Sequence, residues 1–161
     1  MKYIYVLMSG LLVMIIILFL IGNTDDSKIN ELDELHMSQN EIGLKLIRKH
    51  CYVCHSVNSN SHDEIIAPPM AAVKWRYSRQ YSNKEEFVGA MVDWTMDPKF
   101  GRSIMPGAVD KFKVMPKQPF DKTEIVSIVN YIYDNPLEEP IWFEEHQKEM
   151  HGKNVSTRNI K

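Results

Sequence analysis

Chemistry concentrates at Cys51-Tyr52-Val53-Cys54-His55, where both cysteines of the 161-residue chain stand close together and a histidine follows the second at once. C-x-x-C-H is the attachment signature of c-type haem. Two thiols three positions apart at a helix end can each reach one vinyl group of a porphyrin. The adjacent imidazole then falls under the iron as its proximal ligand. Other uses of these residues are less well supplied. A structural zinc site needs four ligands, and the chain has no second C-x-x-C to supply them. A thioredoxin-like redox pair belongs in a βαβ setting, which is missing here. In an exported protein the two cysteines could also form a disulfide. Haem c with its iron is the expected cofactor.

A bound porphyrin needs walls, and the sequence offers helices to build them. Glu41 to His50 reads as a short helix with Ile42, Leu46 and Ile47 on one face. Ser56 to Ile66 is loop-like. A second helix is signalled by Ser82-Asn83-Lys84-Glu85, the spacing of a capping box, and carries Phe87, Met91 and Trp94 on one stripe before Pro98 stops it. A third starts at Asp121, shows an apolar face of Ile125, Ile128, Val129 and Ile132, and is closed by Pro136. Strand signals are nearly absent and no internal repeat is found. The expected fold class is all-α.

Apolar residues are 44% of the chain but unevenly spread. Tyr3 to Ile21 is a 19-residue run in which only Ser9 and Gly10 are not apolar. That is about the length of a membrane-spanning helix. It lacks an A-x-A cleavage site and no cysteine follows it, so residues 1–22 read as an uncleaved signal-anchor. Lys2 precedes the span and Asp25 and Asp26 follow it, which puts the amino end in the cytoplasm. Residues 23–40 read as a polar, acidic tether, 41–137 as the folded domain, and 138–161 as a C-terminal extension that is partly disordered. Beyond the span the chain is only about 38% apolar, lean for a core of this size, and a buried porphyrin would fill the deficit. A net charge of -2 argues against a nucleic-acid partner.

With these residues in view, the chain resembles the class I (mitochondrial-like) cytochromes c, over about Glu41 to Leu137. Gly43 stands eight residues before Cys51, where that family has a glycine at the crossing of its first and last helices. Ile128 and Tyr131 match the apolar-x-x-Tyr pair that packs on it. Ile47 falls where the family usually has an aromatic residue. Ala67-Pro68-Pro69-Met70 is similar to the family's Gly-Pro-x-Leu turn, and the resemblance implies that the Pro68 carbonyl orients the His55 imidazole.

The resemblance also implies a sixth iron ligand from a Met-Pro step ahead of the last helix. Met115-Pro116 lies six residues before Asp121 and is preferred, with Met105-Pro106 as the competitor. Met70, Met91 and Met96 are expected to fill the core or the haem pocket. His62 is only seven residues from His55, too near to reach the other face of a haem. Trp75, Arg76, Tyr77 and Trp94 are candidate propionate donors. His/Met ligation leaves no open position for substrate and favours Fe(II), so the expected activity is one-electron transport.

The chain then reads as a monohaem carrier of a respiratory electron-transfer chain. It would be held by one span in the cell membrane, with its haem domain on the outer (periplasmic) side. Its partners would be membrane-bound donors and acceptors such as a terminal oxidase or a quinol-oxidising complex. Lys99, Arg102, Lys111, Lys113 and Lys117 form a local basic stretch that could meet an acidic partner. Three alternatives differ in kind: a five-coordinate haem sensor or enzyme, a fixed haem subunit of a larger oxidoreductase, and a haem-free disulfide module.

Overall fold

The computed structural model of the chain describes residues 10–17 and 26–151, without a strand among them. From residue 26 on, the elements are α1 (Asp26–His50), α2 (Met70–Gln80), α3 (Lys84–Met96), a 3₁₀ turn at Phe100–Arg102, α4 (Pro106–Phe112), α5 (Lys122–Asp134) and α6 (Phe143–His151). The chain divides into two compact units, residues 1–38 and 39–161.

In the first unit residues 10–17 are helical, and the side chains from Leu11 to Ile17 are 49–62% exposed. No helix among the described residues is long and apolar enough to cross a membrane. The rest of the expected span, residues 1–9 and 18–22, lies outside the described residues.

The expected tether, residues 23–40, is not a coil where it is described: α1 already begins at Asp26. No glycine or proline interrupts the chain between Gly22 and Gly43, and Lys28, Glu31, Leu32, Glu34, Leu35 and Met37 are all good helix formers. An amphipathic stripe is sufficient for a helix but not required, and its absence hid this one. The α1 residues from Gln39 on belong to the second unit, where Ile47 is fully buried while Ile42 stays 44% exposed.

The second unit is built on α5. Its four expected apolar positions, Ile125, Ile128, Val129 and Ile132, are all buried. Asp121 caps its amino end, its carboxylate accepting from the amides of Thr123 at 2.7 Å and Glu124 at 3.2 Å. At the other end the half-buried Lys74 ammonium donates to the carbonyls of Tyr133 (3.1 Å) and Asn135 (2.7 Å), a cation placed where the helix dipole is negative. Helix α3 packs against α5 and α2 against α3. The α3 cap is Asn83, one residue after the expected Ser82, accepting from the Glu86 amide at 2.9 Å. Phe87 is fully buried and meets Tyr77 and Tyr133 edge to face, with centroids 5.8 and 5.1 Å away. Each such pair contributes about 0.5–1.5 kcal/mol beyond the buried area.

Helix α1 crosses α5 at Gly43. A Cβ there would collide with Tyr131 Cβ and stand 3.1 Å from the Ser127 carbonyl oxygen. Only glycine admits so close an approach.

The C-terminal extension is more ordered than expected, forming α6 over Phe143–His151; residues 152–161 lie outside the described residues. Its anchors come from distant parts of the chain. Arg48 pairs with Glu138, Pro140 and Phe143 are buried, and Trp142 Nε1 donates to the Ser59 carbonyl at 3.1 Å. His146 stacks on His62 with centroids 4.4 Å apart, and Lys111 Nζ lies 2.9 Å from His62 Nδ1.

Candidate functional site

The last turn of α1 does not stop at His50. The amides of Cys51 and Tyr52 both donate to the Ile47 carbonyl, at 2.8 and 3.1 Å. Those of Cys54 and His55 return to the Cys51 carbonyl, at 3.2 and 2.9 Å. Cys51, Cys54 and His55 are therefore related as i, i+3 and i+4, which is one face of a helical turn. Both cysteines are free, Cys51 half-buried and Cys54 exposed. Burial, helped by the neighbouring Cys54, pushes the Cys51 thiol up to about 12. A reactive thiol needs the opposite shift, so Cys51 is not poised as a thiolate nucleophile.

The His55 imidazole is turned by its surroundings. Its Nδ1 lies 2.6 Å from the Pro68 carbonyl oxygen. A carbonyl can only accept, so Nδ1 carries the proton and Nε2 keeps its lone pair. Burial lowers the His55 pKa, with the Pro68 hydrogen bond acting against it, and the ring is held neutral. A neutral imidazole with one nitrogen engaged and the other free is the form that binds metal.

Cys51, Cys54 and His55 open on a cavity of about 510 Å³. Its walls come from the 66–70 turn, Tyr77 of α2, Met91 and Trp94 of α3, the α4 segment, and Ile125, Ile128, Val129 and Ile132 of α5. They are mainly apolar, and the volume is in the ordinary range for a cofactor site. Two free thiols on one helical face, a neutral imidazole and an apolar cavity form a donor set that suits a porphyrin with iron.

Four methionines reach this cavity: Met70, Met91, Met105 and Met115. Met70 and Met91 are 6% and 3% exposed and belong to the core cluster. Met96 is packed against that cluster and does not line the cavity. The two Met-Pro methionines flank α4. Met105 caps its start, with Pro106 as the first helical residue, and its amide donates to Ser103 Oγ at 3.0 Å. Met115 stands two residues after the α4 C-cap, Lys113.

Of the candidate propionate donors, Tyr77 and Trp94 line the cavity, and Trp75 and Arg76 do not. Trp75 has Arg79 over its ring, 4.9 Å from the centroid. Arg76 is used elsewhere, its Nε donating to the Ile104 carbonyl at 2.9 Å and so fixing the loop that leads into Met105. Within the basic stretch, Lys99 (2.6 Å), Arg102 (3.2 Å) and Lys117 (3.6 Å) gather around the single carboxylate of Asp97. His62 does not line the cavity. His50 and Phe120 do line it, their rings edge to face at 5.5 Å, and nothing in their spacing marked them. The short α4 was likewise missed, although Pro106 is the N1 signal that would have found it.

Comparison with known proteins bears on the same segment. The family model for cytochrome c matches residues 41–135. An uncharacterized protein of Aquifex aeolicus (strain VF5) is 27% identical over 128 residues, covering 69% of this chain and 82% of that protein. No solved structure matches. The matched segment takes in α2 to α5 whole, together with the cysteine pair, His55 and both Met-Pro steps, and by it the chain belongs to the cytochrome c family, as a carrier of electrons that binds haem c and its iron covalently.

Proposed function

We propose that this cytochrome is a class I, membrane-tethered monohaem carrier with His55 and Met115 as axial ligands. Cys51 and Cys54 hold the haem by thioether bonds, Pro68 orients His55, and His55 Nε2 meets the iron. The observation that carries the assignment is His55 itself: its Nδ1 is engaged by Pro68 at 2.6 Å, and both cysteines and Met115 line the same cavity. Haem bound there supplies a one-electron Fe(III)/Fe(II) couple. The Met115 thioether, a weak donor, favours the reduced iron and raises its potential. The apolar walls keep water away and act in the same direction.

The apolar run from Tyr3 to Ile21 supports a single-pass anchor in the cell membrane, and the charges flanking it support a haem domain on the outer (periplasmic) side. Tethering raises the effective concentration of the carrier at membrane-bound partners. Those partners are respiratory donors and acceptors such as a quinol-oxidising complex or a terminal oxidase.

The test is a set of visible spectra of the full chain matured in a host that attaches haem c, recorded oxidised, reduced, and reduced with carbon monoxide. A low-spin haem with the weak far-red methionine–iron band and no carbon monoxide shift is expected. Met115→Ala should abolish that band and Met105→Ala should keep it. A carbon-monoxide-binding, high-spin haem in the unmutated protein would overturn the ligation.

A further inference from the structure

Among the described residues Lys113 alone, glycines aside, has a positive φ, with φ 69° and ψ 179°. This region of backbone space is open to glycine and is disfavoured for a residue with a Cβ by roughly tenfold to a hundredfold. Lys113 is the C-cap of α4. Its amide still donates to the Val109 carbonyl at 2.8 Å, and its Nζ reaches back to the Asp110 carbonyl at 3.4 Å. The strain therefore falls on the exit from the helix, between a fixed amide and the next two residues. Those are Val114 and Met115, and both line the cavity. Any ordinary pair of dihedrals at position 113 would send them in another direction.

We propose that Lys113 is a positioning residue for Met115: its strained turn brings the chain back from α4 so that the thioether enters the cavity. The proposal rests on the reading that Met115 is the sixth iron ligand. It makes ligation an equilibrium set by the backbone. In the ligated state position 113 must hold the disfavoured dihedrals; once Met115 detaches it can relax. The conformational preference at 113 then sets how readily an external ligand displaces Met115.

The experiment uses the full-length ferric holoprotein and imidazole as the competing ligand. Lys113→Gly removes the penalty for the ligated turn and should weaken imidazole binding by about tenfold. Lys113→Val, with a β-branched side chain, should strengthen it by at least that factor and reduce the far-red band. Lys113→Gln keeps the Cβ and loses the charge, so it should match the unmutated protein. Should the valine variant fail to mature, the comparison of Lys113→Gly with the unmutated protein and Lys113→Gln still decides. Equal imidazole affinity in all of them overturns the proposal. Met115→Ala is measured alongside. If it raises imidazole affinity while the position 113 series is flat, the positioning role fails and the ligand assignment stands. If Met105→Ala raises the affinity instead, the ligand assignment fails and takes this proposal with it.

Discussion

Gly43 and Tyr131 meet where α1 crosses α5, with no room for even a methyl group between them. Cys51 comes eight residues after that crossing, and the α5 face that lines the cavity comes from the other partner. Both helices that meet there also line the cavity, α1 through its last residues and α5 through its buried face.

Gly43→Ala should therefore destabilise the holoprotein by about 1–3 kcal/mol, the usual cost of overpacking a tight contact. Gly89→Ala should do the opposite. A Cβ at position 89 has nothing within 4 Å, and removing a glycine from a helix interior adds about 0.5–1 kcal/mol. Denaturant unfolding of the two variants, side by side, checks the pair of signs. A destabilised Gly89→Ala would show that factors other than helix propensity govern α3.

Asn83→Ala removes the side-chain acceptor of the Glu86 amide at the start of α3. A loss of about 1 kcal/mol is expected. Asn83→Asp should keep most of that stability and Ser82→Ala should have little effect, since residue 83 is the cap. Thermal unfolding midpoints distinguish the two positions.

Arg76→Leu leaves the Ile104 carbonyl without its donor, for a loss of about 1–3 kcal/mol. The loop it fixes leads to Met105, while Met115 enters from beyond α4. With Met115 as ligand, the far-red band of the Arg76 variant should keep its intensity although the protein unfolds earlier. Loss of that band at full folding would point to Met105.

The attachment of α6 should depend on pH. His62 is held below its ordinary pKa first by burial, then by Lys111 and His146, with Asp63 pulling the other way. A detached His62 takes up a proton more readily than an attached one. Stability from this contact is thus fully present above about pH 6.5 and is lost as pH falls below it. Trp142 fluorescence, followed from pH 8 to pH 5, should report the change, and His62→Phe should flatten it. An unchanged titration in that variant would assign the transition to another group.

The features legible in the sequence were local ones. The C-x-x-C-H run is contiguous, so its chemistry could be read without a fold. The apolar period of α5 and the Asp121 cap lie within one helix and are found as expected. The cap of α3 was missed by one residue because Ser82 and Asn83 are both good caps, and tertiary context chose between them. Helix α4 carries Pro106 as its start signal, but its seven residues are too few to show an apolar period. The contacts that shape the rest join distant positions. Arg76 meets a carbonyl 28 residues away, Trp142 one 83 residues away, and no periodicity carries such information. The first part of α1 escaped because it lacks an apolar stripe.

The bond from Trp142 to the Ser59 carbonyl has a consequence in time. A contact spanning 83 residues closes late, after the local helices have formed. A nascent chain that has not yet reached position 142 already contains the cysteines, His55 and every methionine of the cavity, but not the partner that ties down the loop after His55. Until that tryptophan arrives, the loop after His55 is without this anchor, and only a chain that extends past position 142 can close it.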